Sequence, residues 1–151
     1  MSTWVQGWLY LGIVVTPINS AYTPQEISRQ LSASKASVIF GHTSIVDKLK
    51  KSADLAGCVK RTFLIGENLK TEDSMHWDDL LASSSGSIPE QANVDVKKDV
   101  AILPFSSGTT GIPKGVMLSQ YNLVVNNYSL NCANSGMIHA SGFLQVDKGF
   151  R

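Results

Sequence analysis

Residues 106–115, reading Ser-Ser-Gly-Thr-Thr-Gly-Ile-Pro-Lys-Gly, hold the densest cluster of chemically capable groups in the chain. Gly108 and Gly111 stand three apart, which frees the backbone to take positive φ and to approach an anion closely. The hydroxyls of Ser106, Ser107, Thr109 and Thr110 surround them, and Lys114 adds a fixed positive charge. Every one of these groups can donate to a phosphate oxygen. At ordinary residue usage, Gly108, Thr110, Gly111, Pro113, Lys114 and Gly115 coincide in about one window in ten million. Chance is therefore a poor explanation. The order is not that of a Walker loop, since Pro113 occupies the place of the glycine before the lysine and no Ser or Thr follows Lys114. The plain alternative is a flexible Ser/Gly linker. Apolar runs at 100–105 and 116–118, directly on either side, argue against it.

Residues 106–115, with the flanking Leu-Pro-Phe and Val-Met-Leu-Ser, resemble the signature loop of the adenylate-forming superfamily. The resemblance is closest to its 4-coumarate–CoA ligase, acyl-CoA synthetase and luciferase branch. A second stretch, residues 12–27, resembles that family's early core segment through Thr-Pro-Ile-Asn and Tyr-Thr-Pro, with Ser20 in place of a second proline. The resemblance implies activation of a small-molecule carboxylic acid by ATP and Mg2+, first to an acyl-adenylate with release of pyrophosphate and then to a CoA thioester. It also implies that Ser106, Ser107, Gly108, Thr109, Thr110, Gly111 and Lys114 hold the β and γ phosphates, with Gly115 allowing close packing at the loop's exit.

Residues 137–143, Met-Ile-His-Ala-Ser-Gly-Phe, resemble a later family segment that sets a histidine beside the substrate pocket, which makes His139 a candidate pocket residue. Gly136 stands where the family has proline, and His139 lies nearer the loop than the family spacing. An internal deletion after about Asn131 would account for both departures. The expected organisation is a partial adenylation domain over 1–131, entered after its start, and a divergent tail or remnant over 132–151. The family's adenine and acyl contacts, magnesium carboxylate and catalytic lysine come later than the loop, so no catalytic base and no metal ligand are assigned. Three readings follow: a truncated acid–CoA ligase, a catalytically inactive nucleotide- or protein-binding product, and a fragment that folds poorly.

Elements must position this loop, and the composition allows them. With 43% hydrophobic residues, the 151-residue chain can bury a core of its own. Thirteen basic against twelve acidic residues give a net charge of +1, which draws neither nucleic acid nor an anionic membrane. The run 8–18 is too short to span a bilayer and contains Pro17. No Lys or Arg precedes Arg29, so a secretory signal is not expected, and no peroxisomal signal closes the chain. An intracellular location, cytoplasmic or peroxisomal as in the family, follows. Cys58 and Cys132 read as free thiols.

Along the chain, aromatic and β-branched residues at 8–15 predict a buried strand. Thr23, Pro24 and Glu26 spell a capping box opening a helix that turns Ile27 and Leu31 inward. The run 36–40, closed by Gly41, predicts a strand. Ile45, Val46, Leu49 and Leu55 predict a helix with Lys48, Lys50 and Lys51 mostly on its solvated face. Residues 61–65 predict another strand ending at Gly66. Between 67 and 96 only a short turn at Trp77 is expected within a surface connection, in which Glu72, Asp73, Asp78 and Asp79 are solvated. His42 and His76 receive no role. Residues 100–105 predict the strand that feeds the loop, and Ser119 caps the helix after it. Alternating strands and helices predict an α/β fold, layered, with a largely parallel sheet flanked by helices.

Overall fold

The computed structural model describes residues 3–67, 74–83, 86–107 and 113–133. It divides into two compact units. The larger one comprises Thr16–Ile88 and Pro104–Val116. In it, helix α2 (Pro24–Ser34) starts at the capping box: Glu26 N–H donates to Thr23 Oγ1 at 3.3 Å, and Thr23 N–H donates back to Glu26 Oε2 at 2.8 Å. Pro24 has no N–H, so two of the three unpaired amides of the first turn are thereby satisfied. Ile27 and Leu31 lie one turn apart on a single face and are each 1% exposed.

Three strands follow, β1 (Val38–His42), β2 (Arg61–Ile65) and β3 (Ser74–His76), all parallel and in the order β1-β2-β3. Phe40 pairs with Phe63, and Gly41 with Leu64. Because side chains alternate across a strand, this register sorts them by face. Ile39 and Leu64 join Ile27, Leu31 and Leu49 in the core, beneath α2 and helix α3 (Val46–Ala56). On the other face Phe40 stacks on Phe63 with ring centroids 4.9 Å apart, and Trp77 meets Phe40 edge-on at 6.0 Å.

Gly41 lies inside β1 rather than closing it. A Cβ there would overlap the Leu49 side chain, so the glycine lets α3 seat directly on the sheet. Leu55 does not turn inward as its spacing suggests and is 54% exposed; Leu49 and Ser52 are the buried residues of α3. The expectation of a plain surface connection after Glu67 is corrected by β3, whose pairing with β2 runs from Thr62↔Ser74 to Leu64↔His76. Helix α4 (Trp77–Ala82) starts at its end. Three residues carry no legible periodicity, and it is the waiting edge of β2 that makes them a strand.

The second unit comprises residues 1–15, 89–103 and 117–151. Here the expected strand at 8–15 is overturned. Helix α1 (Thr3–Tyr10) occupies its first part and ends in a Schellman motif, in which Ile13 N–H donates to Trp8 O at 2.9 Å and Gly12 N–H to Leu9 O at 3.1 Å, with Gly12 at φ 69°. Only Val15 reaches a sheet position, bridging Ile102 in parallel. A short apolar run suits a helix as well as a strand, and the left-handed glycine decided between them.

The expected strand 100–105 is also divided. Strand β4 (Val100–Ile102) pairs antiparallel with β7 (Leu118–Ser119), while β5 (Phe105–Ser107) pairs antiparallel with β6 (Pro113–Gly115). Pro104, which has no N–H to give a ladder, stands at the break. Helix α5 (Gln120–Ala133) follows β7, and the expected cap is present: Asn122 N–H donates to Ser119 Oγ at 3.3 Å, and Ser119 N–H to Asn122 Oδ1 at 3.0 Å.

Candidate phosphate-binding hairpin

The loop singled out by sequence is the tip of a β-hairpin. Its ladder is fixed by three pairs, Phe105↔Gly115, Ser106↔Lys114 and Ser107↔Pro113. At the base, Val116 N–H donates to Pro104 O at 2.8 Å. Since directly opposed residues share a face with Cβ atoms about 5 Å apart, the pairing puts the Ser106 and Lys114 side chains on one face of the hairpin. Both are exposed, as are Pro113 and Gly115. Among the described residues no carboxylate pairs with Lys114. Strand β6 runs beside α2 in the same unit. Gly108, Thr109, Thr110 and Gly111 fall between the two strands in sequence and lie outside the described residues, as does His139.

What the hairpin offers is a serine and a lysine opposed across a ladder, in strands that flank a sequence rich in glycine and threonine. Hydroxyls and an ammonium are donors that suit an anion with several oxygens. Residues 106–115 contain no carboxylate, histidine or thiol.

The remaining chemically capable residues have structural duties. His42 Nδ1 accepts from Ser44 N–H at 3.1 Å and caps the 3-10 turn Thr43–Ile45. His76, 4% exposed, accepts from Asp78 N–H on Nδ1 at 3.3 Å and, on Nε2, donates to Gly66 O at 3.0 Å. His76 Nδ1 also lies 3.4 Å from Asp78 Oδ2. Asp78 and Asp79 are exposed in the first turn of α4, where the helix dipole favours them. Glu72 and Asp73 lie outside the described residues. Of the lysines expected on a solvated face, Lys48 instead donates to Ser20 O at 2.8 Å. Cys58 is a free thiol near Leu31 O.

Sequence reading missed a cavity of about 360 Å3 in the smaller unit, bounded by Leu9, residues 11–14, 92–94 and 99–101, and Gln120. It is assembled from four separate segments, none with a motif, and the only trace in the sequence was the Gly12 turn. None of the hairpin residues lines it.

Comparison with known proteins gives a consistent picture. The model of the AMP-binding enzyme family matches residues 1–144. The chain is 39% identical to 4-coumarate–CoA ligase 5 of Oryza sativa subsp. japonica over 116 residues, covering 77% of this chain and 20% of that protein. It is 37% identical to 4-coumarate–CoA ligase 3 of Arabidopsis thaliana over 117 residues, with the same coverage of 77% and 20%. A solved structure of a long-chain-fatty-acid–CoA ligase from Archaeoglobus fulgidus superposes with a TM-score of 0.73 at 30% identity, over 87% of this chain and 25% of that one. The chain thus spans about a fifth of the length of the curated relatives it matches.

Proposed function

The chain belongs to the AMP-binding enzyme family, and from that premise we propose that its β5–β6 hairpin grips the β and γ phosphates of ATP in an acid–CoA ligase. The observation that carries this reading is the register that sets Ser106 opposite Lys114, in the strands that flank the Gly-Thr-Thr-Gly sequence. In the proposed reaction a carboxylate of the acid attacks the α-phosphate and pyrophosphate departs. The hairpin acts by position and charge. Lys114 offsets the charge growing on the leaving pyrophosphate, while the hydroxyls and turn amides orient it in line. The nucleophile belongs to the substrate, in keeping with a hairpin that presents none.

The relatives' names, 4-coumarate–CoA ligase and long-chain-fatty-acid–CoA ligase, point to an aromatic or aliphatic carboxylic acid and to CoA as the acceptor. Magnesium would reach the site on the nucleotide's own phosphates. Among the described residues no three His, Cys, Asp or Glu side chains gather to hold it, so no step is assigned to it here. Among the same residues no helix is long and apolar enough to cross a membrane.

Calorimetric titration of the purified chain with ATP and with pyrophosphate tests the grip. Weak binding is expected, further weakened about tenfold in Lys114→Ala, the loss of one charge-assisted contact at an exposed site. Binding unchanged by that substitution refutes the assignment. A pyrophosphate-release assay with MgATP and a panel of aromatic and fatty acids is expected to stay at background for this chain alone, which spans about a fifth of its relatives' length.

A further inference from the structure

Among the buried positions of α2, Ile27 and Leu31 are apolar and Gln30 is not. At 5% exposure its amide is out of water, where it destabilises the fold unless it is hydrogen-bonded. Both partners come from one short segment. Gln30 Nε2 donates to Thr16 Oγ1 at 3.0 Å and to Pro17 O at 2.9 Å. A carbonyl can only accept, so the Pro17 contact fixes which way the amide faces.

The segment so held leads to the hairpin. Pro17 disfavours helical backbone at Thr16, which keeps this stretch available for strand-like pairing. Just before it, Val15 N–H donates to Ala101 O at 3.0 Å, and Val15 O accepts from Leu103 N–H at 2.8 Å. Leu103 is followed by Pro104, whose carbonyl accepts from Val116 N–H at the base of the β5–β6 ladder. Hydrogen bonds and covalent bonds therefore alternate from the Gln30 amide to the foot of both hairpin strands. Strand β6 also runs beside α2, the helix that carries Gln30.

We infer that Gln30 is a positioning residue of the phosphate hairpin. By tying Thr16 and Pro17 to α2 it fixes Val15, and through Val15 the Leu103–Pro104 step from which β5 starts and on which β6 closes. The inference rests on the reading of this hairpin as a phosphate grip, because a set of donors that must meet several oxygens at once works only from a fixed base. The side chain required is a double donor. Glutamate has the same shape but turns acceptor oxygens toward the Pro17 carbonyl.

Amide exchange of the whole chain, followed residue by residue by NMR, tests the role without a ligand. In Gln30→Glu the Leu103 and Val116 amides should exchange about tenfold faster relative to those of β2. Ser34→Ala, which removes hydroxyl bonds from the same helix but none to residues 16–17, should leave that ratio unchanged. Where the buried carboxylate prevents folding, Thr16→Val carries the same test: it removes a single acceptor, and about a threefold change is expected at the same two amides. Exchange that is unchanged, or that accelerates equally in β2 and at the hairpin, would mean that Gln30 only stabilises the fold and would overturn the inference. Titration of the folded variants with pyrophosphate separates this from the parent reading. Binding is expected to weaken about threefold or more in Gln30→Glu or Thr16→Val. Binding weakened by Lys114→Ala but untouched by both of these variants refutes the positioning role, whereas binding indifferent to Lys114→Ala refutes the phosphate grip itself and leaves amide exchange to decide whether Gln30 holds the hairpin.

Discussion

The seat of α3 on the sheet allows a quantitative test of how the larger unit is held together. Gly41 has ordinary negative φ, so alanine there carries no backbone strain, but its Cβ would overlap Leu49, which is itself 4% exposed. Relief requires Leu49 to leave its rotamer or α3 to shift, and overpacking of this kind costs about 1–3 kcal/mol. Leu49→Ala alone opens a cavity in the five-residue core and should cost about 2–5 kcal/mol. In the double variant the new methyl occupies space that Leu49 has vacated. The clash is gone and part of the cavity is filled, so the two losses should fall short of additive by about 1–3 kcal/mol. Urea denaturation followed by far-UV circular dichroism, analysed for midpoint and slope, measures all four corners of the cycle. Additivity within about 0.5 kcal/mol would mean that the two residues do not meet as described.

The capping box predicts a pH dependence. The Thr23 backbone amide, and then its hydroxyl, hold the Glu26 carboxyl below its ordinary pKa of 4.5. A folded pKa below the unfolded one gives stability that is fully present above the unfolded value and is lost as pH falls through the folded one. The stability advantage of the wild type over Glu26→Gln should therefore be constant near neutrality and disappear on acidification below about pH 4.5; thermal melts at several pH values read it, and a gap that persists in acid refutes it. Thr23→Ala removes the other half of the box and should cost about 1 kcal/mol. His76→Leu leaves the Asp78 amide and the Gly66 carbonyl without their ring partner and should cost about 1–3 kcal/mol, seen as a lower urea midpoint.

Much of this protein could be read locally. The Thr23 cap, the inward turn of Ile27 and Leu31, β2 at Arg61–Ile65 and the Ser119 cap all stand where spacing alone puts them. The two caps depend on partners within a few residues, and the inward faces of α2 and β2 are marked by apolar spacing, which is why the linear order suffices. The run 106–115 is likewise local, since its residue types are consecutive. The elements that were misread depend on distant partners. Residues 8–15 became a helix with one bridging residue, β3 exists because β2 offers an edge, and the run 100–105 was divided between two sheets at Pro104.

The candidate site divides in the same way. That 106–115 suits a polyphosphate is an expectation from residue types alone. That Ser106 faces Lys114 is a matter of register, set by the ladder from Phe105↔Gly115 to Ser107↔Pro113, and register is a property of two strands together. Local hydrogen bonds act over three or four residues and leave their signature in the order of the chain, whereas strand pairing and burial join residues tens of positions apart and appear only when the chain has closed on itself.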